Sequence, residues 1–147
     1  MDLPFPQEND GLGSNADDEP DGRSSAPSVL VVERNRSTRQ LMWRVLQPAY
    51  ETQMAATYEE LRRHAQDRAY DAVVMSLYSF DVDDGRQLLE DLRATTPYAE
   101  RPIIAVCHPS VEAGSERLRE DGFDDVLRMP FGESDLLSVL DRHLGPS

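Results

Sequence analysis

A hydroxyl and a group of carboxylates lie where parallel sheets usually carry their chemistry. Ser76 ends the run Asp71-Ala72-Val73-Val74-Met75-Ser76, and Asp81, Asp83 and Asp84 follow in the next loop. Four apolar residues between polar ones are typical of a strand buried on both faces, and ligands in such sheets bind just past the carboxyl ends of the strands. A hydroxyl needs a base to become a nucleophile, whereas carboxylates can hold a cation or form a covalent intermediate.

A second pair of polar residues follows the first apolar run of the chain. Glu33 and Arg34 come directly after Val29-Leu30-Val31-Val32, so they are expected at the same sheet edge as Ser76. Glu33 is a candidate cation ligand, but the guanidinium of Arg34 stays charged in proteins and repels a metal ion. Two arrangements stay open: an ion pair between these neighbours, and an Arg34 side chain turned to solvent.

Several other residues with chemical potential are expected to be structural. Cys107 could be a redox-active thiol with His108 as its base, but neighbouring strand residues diverge, and a buried cysteine usually acts as a small hydrophobe. His64 and His143 lie on different predicted helices without metal-ligand spacing and are expected at the surface. Trp43 lies off the apolar face of its helix, where it is either an interaction anchor or a ring folded over arginine stems. We therefore expect no catalytic residue, metal ion or cofactor.

The hydrophobic pattern predicts five strands that alternate with five helices. The first helix, for example, has a predicted inward face of Leu41, Met42, Val45 and Leu46. The predicted strands are residues 29–32, 51–55, 71–76, 103–107 and 125–128, and the predicted helices are residues 37–47, 58–66, 85–95, 111–121 and 133–144. Right-handed crossovers then require an α/β fold, with a five-stranded parallel sheet and helices on both faces.

The composition predicts one domain preceded by an acidic tail. Residues 1–27 are rich in Pro, Gly, Ser and acids, bury too little apolar surface to order themselves and are expected to be disordered, whereas residues 28–147 form the domain. Leu3-Pro4-Phe5-Pro6 is the apolar patch of this tail, and Phe5 is a candidate for transient docking near Trp43. The net charge of -13 argues against binding to nucleic acid or to an anionic membrane.

The remaining bulk features point to a cytoplasmic protein without lysine chemistry. No apolar run approaches the ~20 residues that span a bilayer, and the amino terminus has no signal-peptide pattern. The single cysteine cannot form an internal disulfide, which agrees with a reducing compartment. All fifteen basic residues are arginine, so no reaction that needs a lysine ammonium can run here.

Five segments in order resemble a bacterial response-regulator receiver domain. The segments are residues 29–35 (VLVVERN), 70–76 (YDAVVMS), 84–85 (DG), 101–107 (RPIIAVC) and 121–131 (DGFDDVLRMPF), and the resemblance covers residues 28–147. It implies a flavodoxin-like (βα)5 receiver fold with strand order 2-1-3-4-5 and a cis bond before Pro130.

The resemblance also implies a set of functional parts that this chain mostly lacks. In the family, two acids after strand one hold magnesium, an Asp at the end of strand three accepts a phosphoryl group, a Ser or Thr ends strand four, and a Lys precedes the Pro after strand five. The corresponding degenerate positions are Glu33, Arg34, Ser76, Cys107 and Met129, and the aromatic switch position is Val126. Only Glu33 keeps its chemical type, and because phosphoryl transfer depends on positioning and charge neutralisation, we expect it to be missing.

The favoured hypothesis is a non-enzymatic pseudo-receiver, a phosphorylation-independent signalling adaptor or protein-interaction module of a bacterial two-component-type pathway or phosphorelay. The expected partner is a signalling protein, such as a histidine kinase or an output protein, bound through the surface of helix 4, strand 5 and helix 5. The candidate contact residues are Trp43, Val111, Leu118 and Val126. A homodimer also stays open.

Two alternatives belong to other functional classes. The first is a phosphoaccepting receiver in which Asp81, Asp83 or Asp84 takes the phosphoryl group from a histidine kinase. The second is a small-ligand sensor with a molecule in the vacated pocket near Ser76, because flavodoxin-like folds bind ligands at this crevice. No Gly-rich phosphate loop supports a nucleotide there, so the sensor ranks last.

Overall fold

The computed structural model describes residues 26–145, which form one parallel sheet with helices on both faces. Most of the predicted tail, residues 1–25, lies outside the described residues, so the prediction of disorder stays a prediction. The strands are β1 (Ser28–Val32), β2 (Glu51–Ala55), β3 (Ala72–Leu77), β4 (Ile103–Cys107) and β5 (Asp125–Arg128). The helices are α1 (Arg36–Leu46), α2 (Tyr58–Asp67), α3 (Val82–Arg93), α4 (Ser115–Asp121) and α5 (Glu133–Leu144).

The sheet has the strand order β2-β1-β3-β4-β5, and all four pairings are parallel, so the predicted topology is confirmed. The register sets Val31 opposite Met54 of β2 and Val74 of β3, and Ser76 opposite Val106 of β4. Because all strands run in the same direction, their carboxyl ends meet at one edge. Glu33 and the side chains after β3 and β4 are brought together at that edge.

Alternation along each strand divides the apolar residues between two cores. Leu30 and Val32 of β1 face the core that α2, α3 and α4 cover, whereas Val29 and Val31 face the core that α1 and α5 cover. Both faces of the sheet are therefore buried, which explains why the strands read as continuous apolar runs rather than alternating ones. β2 is the exception, since it lies at an edge and its residues Glu51–Met54 are exposed or half-buried.

Three details differ from the pattern-based expectations. Leu41 was predicted to face inward but is 37% exposed, because Met42, Val45 and Leu46 already fill the buried stripe of α1. Helix α3 begins at Val82, three residues before the predicted start at Gly85.

The third difference concerns α4, which has seven residues and begins at Ser115 rather than at Val111. Val111 is instead the last residue of a turn, which is closed by the hydrogen bond from its amide to the His108 carbonyl oxygen. Gly114 is the N-cap of α4, in an extended conformation, and does not lie inside the helix as predicted. Gly122 ends α4 with a φ of 124°, a conformation that glycine adopts without steric cost.

The chain after β5 also agrees with the expectations. The Met129–Pro130 peptide bond is cis, as predicted.

No helix among residues 26–145 is long and apolar enough to cross a membrane.

Candidate functional site

A buried carboxylate occupies the centre of the carboxyl edge of the sheet. Glu33 is fully buried, and the Ser76 hydroxyl donates to its Oε1 at 2.5 Å. Its Oε2 accepts the backbone N–H of Asn35 at 2.9 Å and a close hydrogen bond from the Tyr78 hydroxyl. Both carboxylate oxygens of Glu33 are thus satisfied by the protein itself, which is what a carboxylate removed from water requires.

Tyr78 is a site residue that the pattern analysis missed. It lies two positions after Ser76, and residues two apart on an extended strand share a face, so the period of β3 was the signal that could have found it. Burial, followed by the hydrogen bond to Glu33, raises the pKa of Tyr78 well above its ordinary value. Tyr78 therefore stays a protonated donor to Glu33 at physiological pH.

Arg34 pairs with Asp81 and not with its neighbour Glu33. The Arg34 Nε and Nη2 atoms both lie 3.0 Å from Asp81 Oδ2, and Asp81 Oδ1 accepts the Tyr78 backbone N–H at 2.9 Å. Of the two arrangements left open for Arg34, the ion pair with Glu33 does not form, because Glu33 turns into the sheet edge while Arg34, 41% exposed, turns over the loop that follows β3. Of the three loop acids, only Asp81 is buried, at 5% exposure, whereas Asp83 and Asp84 lie exposed in the first turn of α3.

Tyr58 closes the inner side of the site from helix α2. Its hydroxyl donates to the Ser76 carbonyl oxygen at 2.8 Å. Burial, with the nearby Asp81 carboxylate, raises the pKa of Tyr58, so its proton is retained. The crevice that remains has no room for a water-sized molecule and is lined by Val32, Arg34, Ala56, Thr57, Tyr58, Ser76 and Asp81. Pockets for small molecules usually measure ≈ 300–1,000 Å³, so the pocket proposed near Ser76 is closed to such a ligand in this structure.

An aromatic cover, which consists of Tyr78, Phe80 and His108, lies over the outer side of the site. The rings of Phe80 and His108 stack on Tyr78 at centroid distances of 5.5 Å and 4.9 Å. The Arg34 guanidinium lies 5.0 Å from the centroid of the Phe80 ring, and Phe80 is 69% exposed. This cover separates the Glu33 network from solvent and leaves one large apolar ring on the surface.

The donor set at this edge does not fit a magnesium ion. Magnesium requires several oxygen ligands in near-octahedral geometry, but the oxygens of Glu33 are occupied by hydroxyl and amide donors, and Asp81 is held by a guanidinium. Within the part of the chain that the structure describes, no group of three or more His, Cys, Asp or Glu side chains could hold a metal ion. The arrangement is a closed hydrogen-bond network in which the Arg34 guanidinium supplies the positive charge opposite Asp81.

The other degenerate positions serve packing. Cys107 is fully buried in the core below α3 and α4, and burial raises the pKa of its thiol, so it stays unreactive. Met129 packs against the core on the α1 and α5 side, and Val126 packs at the margin of the opposite core. Arg128 donates to the carbonyl oxygens of Val111 and Ala113, which holds the loop before α4 and directs this cation away from Ser76.

Two of the four candidate contact residues are wrong as surface contacts. Val111 is 4% exposed and Leu118 is fully buried, because they are the side chains that anchor the α4 region to the core. Val126 is half-buried, and Trp43 is 41% exposed on α1. The histidines expected at the surface are both half-buried. His143 Nε2 lies 3.0 Å from Asp125 Oδ2.

A second polar cluster, which sequence reasoning missed, surrounds Asp125 at the opposite end of the sheet. Asp125 is 5% exposed and accepts hydrogen bonds from Arg119 Nη2 at 2.8 Å, from His143 Nε2 at 3.0 Å and, closely, from Arg142. Burial favours a raised pKa, but the hydrogen bonds from His143, Arg119, Arg142 and the Val126 amide outweigh it and lower the pKa of Asp125 to about 2. The cluster joins α4, β5 and α5.

Solved structures similar to this chain are described as chemotaxis proteins, response regulators or receiver domains. The chemotaxis protein CheY4 of Vibrio cholerae matches with a TM-score of 0.71 and 28% identity, over 81% of this chain and 99% of that chain. A response-regulator receiver domain of Methylobacillus flagellatus matches with a TM-score of 0.67 and 22% identity, over 80% and 98%.

The chain folds as a response-regulator receiver domain. A third similar structure is the receiver domain of a sensor histidine kinase of Pseudomonas aeruginosa, with a TM-score of 0.70, 24% identity and coverage of 83% and 100%. That receiver domain is described with a magnesium ion coordinated in its active-site cleft. No family model matches this chain, and no curated protein is similar to it in sequence.

Proposed function

We propose that this receiver domain is a non-enzymatic pseudo-receiver, which acts as a phosphorylation-independent signalling adaptor in a bacterial two-component-type pathway. Receiver domains work by interacting with kinases and output proteins, and the fold supports that general role. The specific proposal concerns how this domain differs from receivers that switch on phosphorylation. It rests on the closed network at the carboxyl edge of its sheet.

The observation that carries the proposal is the occupation of Glu33 and Asp81 by protein donors. Glu33 accepts from Ser76, Tyr78 and Asn35, and Asp81 accepts from Arg34 and the Tyr78 amide. Phosphoryl transfer needs a metal ion, a nucleophile and a counter-charge around one transferred group. Here the carboxylates that could serve a metal ion are already neutralised or hydrogen-bonded.

The nucleophile is also unsuited to the reaction. Ser76 is 3% exposed, and its hydroxyl proton is held by the Glu33 carboxylate, so a phosphoryl donor cannot approach in line. Met129 brings no cation to the site, and the chain contains no lysine that could replace it. These defects compound, because each part is needed at the same point.

The interaction surface proposed for the partner is formed by α4, β5 and α5, and self-association through this surface is included. The Asp125 cluster links these three elements through Arg119, Arg142 and His143. A fixed arrangement of this surface supports binding that does not depend on a phosphoryl group. Candidate contacts are the exposed polar residues of α4 and α5 rather than the buried Val111 and Leu118.

Treatment with small phosphodonors tests the proposal directly. We expect no mass increase with acetyl phosphate and magnesium, and no change in Trp43 fluorescence with beryllofluoride. The Ser76→Asp variant is expected to behave in the same way, because Arg34 and Met129 remain in place. The receiver domain of the Pseudomonas kinase, which is described with bound magnesium, is the positive control for metal binding.

The contrary outcome is equally specific. A hydroxylamine-sensitive phosphoryl adduct on Asp81, Asp83 or Asp84 would favour the phosphoaccepting alternative. Partner binding that changes on addition of acetyl phosphate would contradict the adaptor role even without a mapped adduct.

A further inference from the structure

Helix α1 carries the one concentrated positive charge of an otherwise acidic chain. Residues 34–50 contain four arginines and no acidic residue, although the chain as a whole has a net charge of -13. One side of α1 carries four residues that we call its outer face, Arg36, Gln40, Trp43 and Arg44. At 3.6 residues per turn they fall within an arc of roughly 100° around the helix axis. All four are exposed, and Trp43 retains 41% of its surface.

The charges of this face are not neutralised by the described domain. Within residues 26–145, no carboxylate lies within ion-pair distance of Arg36, Arg39 or Arg44. Arg39 donates to the backbone carbonyl oxygens of Glu33 and Arg34. These neutral acceptors position its guanidinium but do not neutralise its positive charge. In contrast, the arginines on α2, α3, α4 and α5 other than Arg63 have carboxylate partners, for example Arg86 with Asp121 at 2.7 Å.

The amino-terminal segment has the opposite charge and an apolar patch of its own. Residues 1–25 contain seven acidic residues and one arginine, with Asp17, Asp18, Glu19 and Asp21 close together. Leu3-Pro4-Phe5-Pro6 supplies the apolar side chains. A segment of this composition is complementary in charge and apolar content to a surface of arginines around Trp43, which is 41% exposed.

The point at which this segment joins the domain is close to α1. The Pro27 carbonyl accepts the Glu51 amide at 2.9 Å, and Glu51 follows α1 after only four intervening residues. An eleven-residue helix is about 16 Å long, whereas a flexible chain of this segment's length has a mean end-to-end distance of about 25–30 Å. The whole outer face of α1 is therefore within reach, at an effective concentration on the order of millimolar.

We propose that residues 1–25 dock on the outer face of α1 within the same chain, with the Asp17–Asp21 acids paired to Arg36, Arg44 and the neighbouring Arg39, and the Leu3–Pro6 patch against Trp43. The contact is electrostatic, and the segment exchanges between docked and undocked states. Both properties follow because exposed ion pairs are weak and are screened by salt. It makes the acidic segment an internal competitor for any acidic partner of α1. The inference depends on charge and connectivity and stands apart from the absence of phosphorylation.

A spin label on the segment tests the contact in the full-length chain. Cys107 is fully buried, so a cysteine introduced by Ser14→Cys is the accessible site for a nitroxide label. We expect amide line broadening to concentrate on residues 36–47. The broadening should be lost in Arg36→Glu/Arg44→Glu and at roughly 1 M salt, where the Debye length is about 3 Å.

Matched controls separate docking from general effects of charge. Arg63→Glu/Arg117→Glu changes the same number of exposed arginines on α2 and α4 and should leave the broadening unchanged. Neutralising the acids by Asp17→Asn, Asp18→Asn, Glu19→Gln and Asp21→Asn should abolish it and shift the Trp43 emission.

Three outcomes would overturn the proposal. The first is broadening spread evenly over the domain or centred away from α1. The second is broadening that survives both charge reversal and salt. The third is equal broadening in a mixture of spin-labelled unenriched chains and unlabelled isotope-enriched chains, which would assign the contact to two copies of the chain.

Discussion

At the scale of single residues, Glu33 and Asp81 are the two buried carboxylates at the carboxyl edge of the sheet. Each is buried and each has its oxygens occupied by protein donors, so neither is available as a metal ligand. The two networks meet at Tyr78, whose hydroxyl serves Glu33 and whose amide serves Asp81. The carboxyl edge is therefore held by one connected set of hydrogen bonds.

Removing the Arg34 guanidinium should destabilise the domain. The Arg34→Gln variant leaves Asp81 buried without its counter-charge, although the Tyr78 amide still donates to it. Breaking a buried pair costs about 3–5 kcal/mol, but Arg34 is partly exposed, so we expect a loss of about 1–3 kcal/mol in the free energy of unfolding. Urea denaturation monitored by Trp43 fluorescence measures this loss.

Arg36→Gln is the matched control for that experiment. Arg36 is exposed and has no carboxylate partner among residues 26–145, so its variant should stay within about 0.5 kcal/mol of the parent. Equal losses in the two variants would show that the Arg34–Asp81 pair contributes nothing.

The pattern of residue types predicted the composition of the site but not its pairings. Ser76, Glu33 and Arg34 were placed at the correct edge, because strand ends can be read from apolar runs. The partner of Arg34 could not be read, since Asp81 lies 47 residues away and depends on how the loop after β3 folds back. Tyr78 was passed over because a tyrosine after a strand carries no motif.

At the scale of elements, the entry to α3 depends on a glycine. Gly85 is buried in the first turn of α3, where an added Cβ would overlap the Leu77 side chain and lie 3.1 Å from the Tyr58 hydroxyl. The sequence predicted that Gly85 begins helix α3. In the structure Gly85 lies within the helix, where the close packing of α3 on β3 requires a residue without a side chain. A Cβ there forces the end of the Leu77 side chain to move and requires the Tyr58 hydroxyl to shift by a few tenths of an ångström.

Gly85→Ala should therefore destabilise the domain despite the higher helix propensity of alanine. Overpacking a core typically costs about 1–3 kcal/mol, which exceeds the propensity gain of about 1 kcal/mol. Thermal unfolding of Gly85→Ala and Gly114→Ala provides the comparison, since a Cβ at Gly114 meets nothing within 4 Å. An unchanged or raised melting temperature for Gly85→Ala would contradict the packing argument.

The Asp125 cluster should make the junction of α4, β5 and α5 sensitive to acid. The pKa of Asp125 falls from an ordinary value of 3.8 to about 2 in the folded protein. Because the folded-state pKa is the lower one, the ionised carboxylate stabilises the fold at and above roughly pH 5, and this contribution is lost as the pH falls from about 4 to 2. The shift corresponds to about 2 kcal/mol.

Urea denaturation of the parent and of Asp125→Asn over that pH range checks this linkage. The difference in unfolding free energy should be largest near neutral pH and should narrow as the solution becomes acidic. Asp83→Asn is the control, because the Asp83 side chain is 92% exposed and its variant should show little difference at any pH. If the difference in unfolding free energy between the parent and Asp125→Asn stays constant with pH, the substitution acts through packing alone.

At the scale of the whole molecule, the fold was predictable where burial decides it. Strand and helix identity and the two cores follow from apolar runs and right-handed crossovers, whereas the order of the strands in the sheet was implied by the resemblance to receiver domains. The errors fall where a few side chains compete, as with Leu41 on α1, or where a turn replaces the first turn of a helix, as at Val111. Interaction residues were harder to predict from the sequence. A leucine such as Leu118 gives the same pattern whether it is buried in the core or exposed on a binding surface.

The net charge should make the stability of the domain depend on salt. With a net charge of -13, repulsion among acids opposes the compact state, whereas exposed ion pairs contribute little each. We expect the free energy of unfolding to rise as sodium chloride increases from about 0.01 to about 1 M, over which the Debye length falls from about 30 to about 3 Å.

A variant with fewer acids separates screening from general salt effects. Glu112, Glu116 and Glu120 are exposed, and their replacement by Gln should raise stability at low salt and flatten its dependence on salt. A stability that falls with added salt in the parent would mean that the ion pairs outweigh the repulsion.

The hydrogen bond between Ser76 and Glu33 limits how this site can accept a charge at position 76. An aspartate there would set a second carboxylate against Glu33 in a site where the Ser76 hydroxyl now lies 2.5 Å from it. Without a metal ion, two such acids cannot both ionise, so one of them would take up a proton. Replacing Arg34 as well would leave Asp81 buried without its counter-charge. Substitutions at positions 34 and 76 are therefore expected to be non-additive in their effect on stability, because the two carboxylates that they alter are joined through Tyr78.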